Sequence, residues 1–201
     1  MNDATAELVR RMRDGDGEAF DGLYRQYVGR LYGMAWLLSA SRPDSEDIVQ
    51  EAFVTCFLHR KSLRDENAFE PWLYRILVRT AWRYLKKRGR DSSYEALTDP
   101  EQEAAAGRLL ADQDAPEPLE EAVKNEERRR LWQAVGELDL KQRTAVVLYY
   151  YGELSVREIA RVTGSLEGTV KSRLHKGREN LRRCLLQDLS ADEGRKRDGN
   201  S

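Results

Sequence analysis

The chain has 201 residues and balances 34 Lys and Arg against 35 Asp and Glu, a formal net charge of −1. Its length and its 40% hydrophobic content suffice for one large or two small buried cores. No apolar run approaches the roughly 18 residues that a membrane span requires, and residues 1–20 lack the apolar core of a signal peptide. These properties predict a soluble cytoplasmic protein and exclude membrane insertion.

Residues that commonly carry catalysis or bind metals are scarce. Cys56 and Cys184 have no CxxC or His-rich neighbourhood, so they are interpreted as small core residues rather than as zinc ligands. The two histidines, His59 and His175, pair with no nucleophile, and the chain has no nucleotide-binding glycine loop. We therefore expect no enzyme, no metal and no cofactor.

Helical periodicity dominates the chain, and alternating strand patterns are missing. A first helix is predicted from about Glu18 to Leu38. The segment "SASRPDS" ends it, and Asp44 or Ser45 can cap a second helix.

The third predicted helix begins with a cap at Asn67, carries Pro71 in its first turn and ends near Arg88. Residues 71–90 contain seven Lys or Arg and no Asp or Glu. At about 100° per residue, most of these cations share an arc of roughly 80°, with Trp72 and Trp82 at its edges. We call the cations of this arc the basic ridge: Arg75, Arg79, Arg83, Lys86 and Arg90.

Like charges along one helix face repel each other, so a solvated face normally mixes signs. A ridge of one sign beside aromatic rings is expected where phosphates supply the opposite charge and rings stack on bases. The basic ridge therefore predicts a DNA contact. The alternative is a basic surface helix with two tryptophans in the core.

The segment 91–124 differs in composition from both its neighbours. It holds ten acidic residues against Arg108 and Lys124, and it contains three of the five prolines. This pattern is typical of a linker. The sequence thus predicts an all-α fold with two small helical domains, 1–90 and 125–188, joined by an acidic flexible linker, 91–124, and followed by a polar tail, 189–201.

The second domain carries the features of a helix-turn-helix. Ser155 and Glu158 form a capping box, Ala160 allows close packing, and Gly164 can take the positive φ of the turn. A recognition helix places its N-terminal half in the major groove. The second helix turns polar and basic side chains outward: Lys171, Ser172, His175, Lys176, Arg178 and Arg182. The alternative is a helical hairpin with a cationic exterior.

Two DNA-facing helices about 90 residues apart suggest one chain that contacts two separated DNA elements. At this point the chain resembles the extracytoplasmic-function (group 4) sigma factors of bacterial RNA polymerase. Residues 47–54, "DIVQEAFV", resemble region 2.2 of the family. Residues 67–90 resemble regions 2.3–2.4, and residues 138–178 resemble region 4.

The resemblance implies roles for particular residues. Asp47, Gln50 and Glu51 would dock on the β′ clamp helices of the core polymerase. The loop residues Leu63, Arg64 and Asn67 would capture an unstacked base of the −10 element. The third helix would hold the rest of that element through Trp72, Arg75, Arg79, Trp82, Arg83 and Lys86. The −35 element would be contacted by Lys171, Ser172, Arg173, His175, Lys176 and Arg178.

The resemblance also implies partners and a location. The partners would be core RNA polymerase, through its β′ clamp helices and β flap, promoter DNA and an anti-sigma factor. The protein would act in the cytoplasm, associated with polymerase on the nucleoid. The family usually has Leu-Pro where this chain has Leu138-Asp139, which alters one helix start.

We therefore expect a non-catalytic specificity subunit that directs promoter-specific transcription initiation. Two other functions stay open on the sequence. One is a stand-alone helix-turn-helix regulator, and the other is a helical interaction protein that does not bind DNA.

Overall fold

The computed structural model describes residues 3–89 and 130–198, with side chains as far as residue 186. The regular structure in these ranges is helical, as predicted, and the predicted linker at 91–124 lies outside them. Residues 130–136 are helical, and two 3-10 turns span Arg60–Ser62 and Glu66–Ala68. The complete helices are α1 Asp3–Asp14, α2 Gly17–Ser39, α3 Arg42–Leu58, α4 Phe69–Lys87, α5 Leu140–Tyr150, α6 Val156–Thr163 and α7 Glu167–Asp198.

The first helix, α1, was not predicted from the sequence. It packs against α2 and buries Val9 and Met12 completely. The predicted helix from Glu18 to Leu38 is α2. Asp16 caps its first turn by accepting from the backbone N–H groups of residues 18 and 19, and Ala40 ends it in the left-handed conformation at φ 53°.

The start of α3 differs from the prediction. Its cap is Ser41, whereas Asp44 and Ser45 lie inside the helix and are buried. The Asp44 carboxylate is fully buried and accepts from the Arg88 guanidinium, with 2.6 Å between Oδ1 and Nη1. A buried carboxylate needs such a partner, so Asp44 ties the end of α4 to the start of α3.

The start of α4 also differs from the prediction. Asn67 does not cap it, because the 3-10 turn Glu66–Ala68 precedes the helix. Asp65 caps that turn by accepting from the backbone N–H of Asn67 at 3.0 Å. Arg13 of α1 reaches Glu66 at 3.0 Å and holds the turn against the bundle.

The second half of the chain is built around α5, α6 and α7. Asp139 caps α5 by accepting from the N–H groups of residues 141 and 142. The residue that stands where the family usually has proline therefore supplies a side-chain cap instead. The capping box of Ser155 and Glu158 is present, and Gly164 ends α6 at φ 65°. Helix α7 continues through most of the predicted tail, to Asp198.

The two halves pack directly on each other rather than lying apart. Helix α2 contacts α5, and α4 contacts α6. Arg143 of α5 is 7% exposed and donates to the carbonyl oxygen of Leu38 in α2 at 2.9 Å, and at the same distance to that of Leu138. The rings of Trp36 and Trp132 meet edge to face, with centroids 5.4 Å apart.

Two further contacts cross between the halves. The indole N–H of Trp82 donates to the Thr144 hydroxyl at 3.0 Å, and Arg30 reaches the loop after α5, where it lies 3.3 Å from Glu153. With α6 against it, α4 also buries apolar side chains such as Tyr74 and Val78. Both halves thus contribute to one continuous hydrophobic core.

We predict that Gly152→Ala destabilises this packing by about 1–3 kcal/mol. A Cβ at residue 152 would lie 2.7 Å from the carbonyl oxygen of Leu148 and 3.0 Å from the Met34 side chain of the other half. Urea unfolding measures the change. Gly29→Ala is the control, since a Cβ there meets nothing within 4 Å; equal stability of the two variants would contradict the prediction.

Candidate nucleic-acid interface and docking surface

The predicted docking residues lie on the exposed face of α3. Asp47, Gln50 and Glu51 are all exposed, while the opposite face enters the core. Gln50 also borders an apolar groove between α2 and α3. This groove is lined by aromatic and aliphatic side chains that include Phe20, Tyr24, Val28, Tyr32, Val49, Phe53, Val54, Phe57 and Leu58.

The acidic side chains of α3 are bonded to α4. Asp47 accepts from the Tyr84 hydroxyl, with 2.5 Å between Oδ2 and the phenolic oxygen, and Glu51 forms an ion pair with Arg83. The hydrogen bond to Asp47 raises the pKa of Tyr84, so the phenol stays protonated and donating at neutral pH. The predicted docking face and the basic ridge are therefore adjoining surfaces of one helix pair.

The basic ridge is mostly accessible. Arg79, Arg83 and Lys86 are exposed, Arg75 is half-buried, and Arg90 lies outside the described residues. The two tryptophans at its edges are also half-buried. Trp82, at one edge of the ridge, is bound by the other half of the chain through Thr144. The packing of the two halves thus takes up one edge of the ridge and leaves its centre open.

The loop before α4 divides into exposed and buried positions. Arg64 and Asn67 are both exposed, and the Asn67 amide donates to Asp65 at 3.3 Å. Leu63 is only 3% exposed and belongs to the hydrophobic core. In this conformation its side chain is packed in the core and is not accessible to a base. We therefore leave Leu63 out of the proposed DNA-contacting set.

Helix α7, the predicted recognition helix, presents most of its predicted contact residues to solvent. Lys171, Ser172, His175, Lys176 and Arg178 are exposed, as the sequence predicted. His175 Nε2 lies 3.4 Å from a carboxylate oxygen of Glu179 one turn later, a pair that is ionic only when the histidine is protonated.

Arg173 and Arg178 are held by neighbouring side chains. Arg173 is half-buried and donates to the Ser165 hydroxyl at 2.8 Å. Arg178 donates through Nε to the Tyr150 hydroxyl at 2.8 Å, and its guanidinium lies over the rings of Tyr149 and Tyr150. Sequence reasoning missed these partners, although the run of three tyrosines at 149–151 was a visible signal.

A second apolar groove lies beside α7. Its lining comes from the helical residues 130–136, from α5, from α7 and from Leu37 at the end of α2. Tyr150, Leu131 and Leu186 on its border are substantially exposed, and Arg178 and Arg182 give one wall positive charge.

In the described part of the chain, no group of three or more His, Cys, Asp or Glu side chains could hold a metal ion. Burial raises the pKa of the Cys56 thiol to about 12, so it is protonated and unreactive at neutral pH. Among the helices that the structure describes, none combines the length and apolarity needed to cross a membrane.

Comparison with known proteins places both halves in one family. Residues 23–91 match the family model of sigma-70 region 2, and residues 128–181 match that of sigma-70 region 4. The ECF RNA polymerase sigma-E factor of Haemophilus influenzae is 35% identical over 175 residues, which cover 87% of this chain and 91% of that protein.

Solved structures show the same fold. The structure of CnrH in complex with the cytosolic domain of CnrY aligns with a TM-score of 0.64 at 21% identity, over 92% of this chain and 99% of that one. The sigma factor RpoE in complex with the anti-sigma factor NepR from Bartonella quintana aligns with a TM-score of 0.61 at 21% identity, over 83% and 96%. The chain belongs to the sigma-70 family of transcription initiation factors, within its extracytoplasmic-function group of RNA polymerase sigma factors.

Proposed function

We propose that this chain is a promoter-specificity subunit that binds core RNA polymerase through α3 and promoter DNA through α4 and α7, without catalysing a reaction itself. The observation that carries the proposal is the contact between an acidic face and a cationic ridge on adjacent helices. Glu51 forms an ion pair with Arg83 of the ridge, and Asp47 accepts a hydrogen bond from Tyr84 on the same helix. One surface can therefore bind polymerase while its neighbour holds DNA beside it.

For the −10 element, the contacts would come from α4 and the loop that precedes it. Exposed Arg79, Arg83 and Lys86 supply charge for phosphates, and Trp72 and Trp82 supply rings that can stack on unpaired bases. Arg64, Asn67 and Arg75 border the same region. Taking a base out of the stack costs a few kcal/mol, which such contacts offset.

For the −35 element, the helix-turn-helix would place α7 in the major groove. Its N-terminal half exposes Lys171, Ser172, His175 and Lys176. Lys and Ser side chains can donate to guanine and to phosphates there. Arg173 and Arg178, held by Ser165 and Tyr150, can bind the flanking phosphates with less loss of side-chain entropy.

Simultaneous binding of both elements requires the two halves to separate. The centres of −10 and −35 elements lie about 25 base pairs apart, which is roughly 85 Å of duplex at about 3.4 Å per base pair. A compact chain of this length has a radius of gyration of about 17 Å. We therefore propose that the packed form is the form without promoter, and that binding to core polymerase favours the open one.

The two apolar grooves suit further protein partners. One adjoins the docking face at Gln50, and the other adjoins α7 at Arg178. We propose that an anti-sigma factor covers one or both of these grooves. We also propose that the β′ clamp helices and the β flap of core polymerase contact the same two halves of the chain. The site of action would then be the cytoplasm, with polymerase on the nucleoid.

Reconstituted run-off transcription tests the proposal. Core polymerase with this chain should start at defined positions on fragmented genomic DNA, and core polymerase alone should not. Sequence-specific footprints by the pure chain, undiminished without core polymerase, would favour a stand-alone regulator. Full activity after charge reversal at both Lys171 and Arg178 would favour an interaction protein that does not bind DNA.

We expect Glu51→Lys to weaken binding to core polymerase by at least tenfold, because it places a cation within the acidic docking face and beside Arg83. Titration of labelled core polymerase measures the affinity. The fold should persist, since the Glu51–Arg83 pair is exposed and exposed pairs contribute about 0–1 kcal/mol. Glu7→Lys on α1 is the matched control, and an unchanged affinity for Glu51→Lys would reject the docking surface.

Lys171→Ala should reduce initiation at promoters that depend on the upstream element by about 1–3 kcal/mol if Lys171 contacts a base. Run-off yields from templates with intact and scrambled upstream elements measure this loss. Lys141→Ala, an exposed lysine on α5, serves as control. An equal loss on both templates would assign Lys171 to phosphate instead of base contact.

Thr144→Val tests whether the packed form competes with polymerase. The change removes the acceptor of Trp82 and should weaken the contact between the halves by about 1 kcal/mol. If most of the chain is packed before binding, the apparent affinity for core polymerase should rise about fivefold. An unchanged affinity, in a variant shown to be folded by circular dichroism, would contradict this competition.

A further inference from the structure

The most exposed large apolar side chain in the described part of the chain is Leu166, at 79%. It lies in the turn of the helix-turn-helix, directly before α7. Its backbone is fixed, because its carbonyl oxygen accepts from the N–H of Val170 at 3.0 Å and the preceding Ser165 N–H donates to Ala160 at 3.0 Å. The turn before α7 thus holds a leucine side chain in solvent, outside the hydrophobic core.

Two residues further on, Gly168 lies in the first turn of α7, where neither its backbone conformation nor its neighbours within the chain require glycine. Its φ is not in the left-handed region, and a Cβ there would meet nothing within 4 Å. Gly177 of the same helix differs, since a Cβ there would lie 2.8 Å from the Val146 side chain. A glycine within a helix costs stability, so one that no packing requires suits the close approach of another molecule.

We infer that Leu166 reads the upstream promoter element by packing on the C5-methyl group of a thymine, and that Gly168 leaves room for the DNA beside it. This inference rests on the proposed function of α7. Exposed Glu167 stands between the two residues, and its carboxylate disfavours an approach of phosphates at this turn. Base edges are therefore the favoured contact, and the thymine methyl is the apolar group that the major groove offers.

The first experiment uses the full chain with core polymerase on templates whose upstream ten base pairs are randomised. Sequencing of the transcribed templates should show a preference for thymine at one position with the wild type. In Leu166→Ala this preference should fall about fourfold, the value of one buried methyl group. Deoxyuridine at that position lacks the methyl group. It should lower transcription by the wild type by about the same fourfold factor, and it should leave transcription by Leu166→Ala unchanged.

The second experiment separates DNA clearance from folding. Gly168→Ala should raise the thermal midpoint of the free chain, because alanine restricts the unfolded state and nothing in the chain opposes its methyl group. It should nevertheless lower transcription that depends on the upstream element by about tenfold. Gly17→Ala is the matched control, since Gly17 lies in the first turn of α2 with equally open surroundings; it should raise the midpoint without changing transcription.

The possible failures are distinguishable. Wild-type holoenzyme without any upstream base preference would overturn the proposed function and this inference together. A preference that stays the same in Leu166→Ala, or deoxyuridine without effect on the wild type, would overturn only the role of Leu166. Full transcription by Gly168→Ala would overturn the close approach of DNA to this turn.

Discussion

The buried guanidinium of Arg143 is the polar contact on which the joining of the two halves of this sigma factor most depends. It lies in α5, yet it donates to the carbonyl of Leu38 at the end of α2, and it also bonds the carbonyls of Gly136 and Leu138 that precede its own helix. A buried cation is stable only with such partners. Arg143 therefore links the correct ending of α2, the correct entry into α5 and the packing of one half on the other.

On the proposed function, the adjoining surfaces of α3 and α4 let one small domain bind polymerase and DNA side by side. Within the free chain Glu51 of α3 partly neutralises the ridge of α4 through its ion pair with Arg83, and Asp47 accepts a hydrogen bond from the uncharged Tyr84. Each of these contacts is exposed and therefore weak. A partner with many cations or many phosphates can replace them without breaking the core beneath.

Much of the fold could be predicted from the sequence because local signals agreed with each other. The capping box at Ser155, the glycine of the helix turn and the helical periodicity of α2 were all evident in the sequence. The predicted cap of α3 was wrong because Asp44 has a distant partner, Arg88, which no local sequence pattern indicates. The burial of Leu63 and the packing of the halves depend on tertiary contacts of the same kind.

The candidate surfaces also combine features that the sequence predicts with features that it does not. Charged residues on exposed faces, such as Lys171 and Arg79, follow from helical periodicity alone. The partners that hold them do not, because Tyr150 reaches Arg178 across 28 residues and Thr144 reaches Trp82 across 62. The exposure of Leu166 could not be predicted for a different reason: a leucine beside a helix start is expected to be buried, and its exposure depends on the tertiary structure.

The edge-to-face pair of Trp36 and Trp132 has a consequence for how tightly the halves hold together. Both indole N–H groups are buried, and neither has a hydrogen-bond partner among the described residues. Each such donor forfeits about 1–3 kcal/mol of hydration, which water restores when the rings part. These two donors therefore weaken the contact between the halves relative to a fully hydrogen-bonded one, and they favour its opening to water.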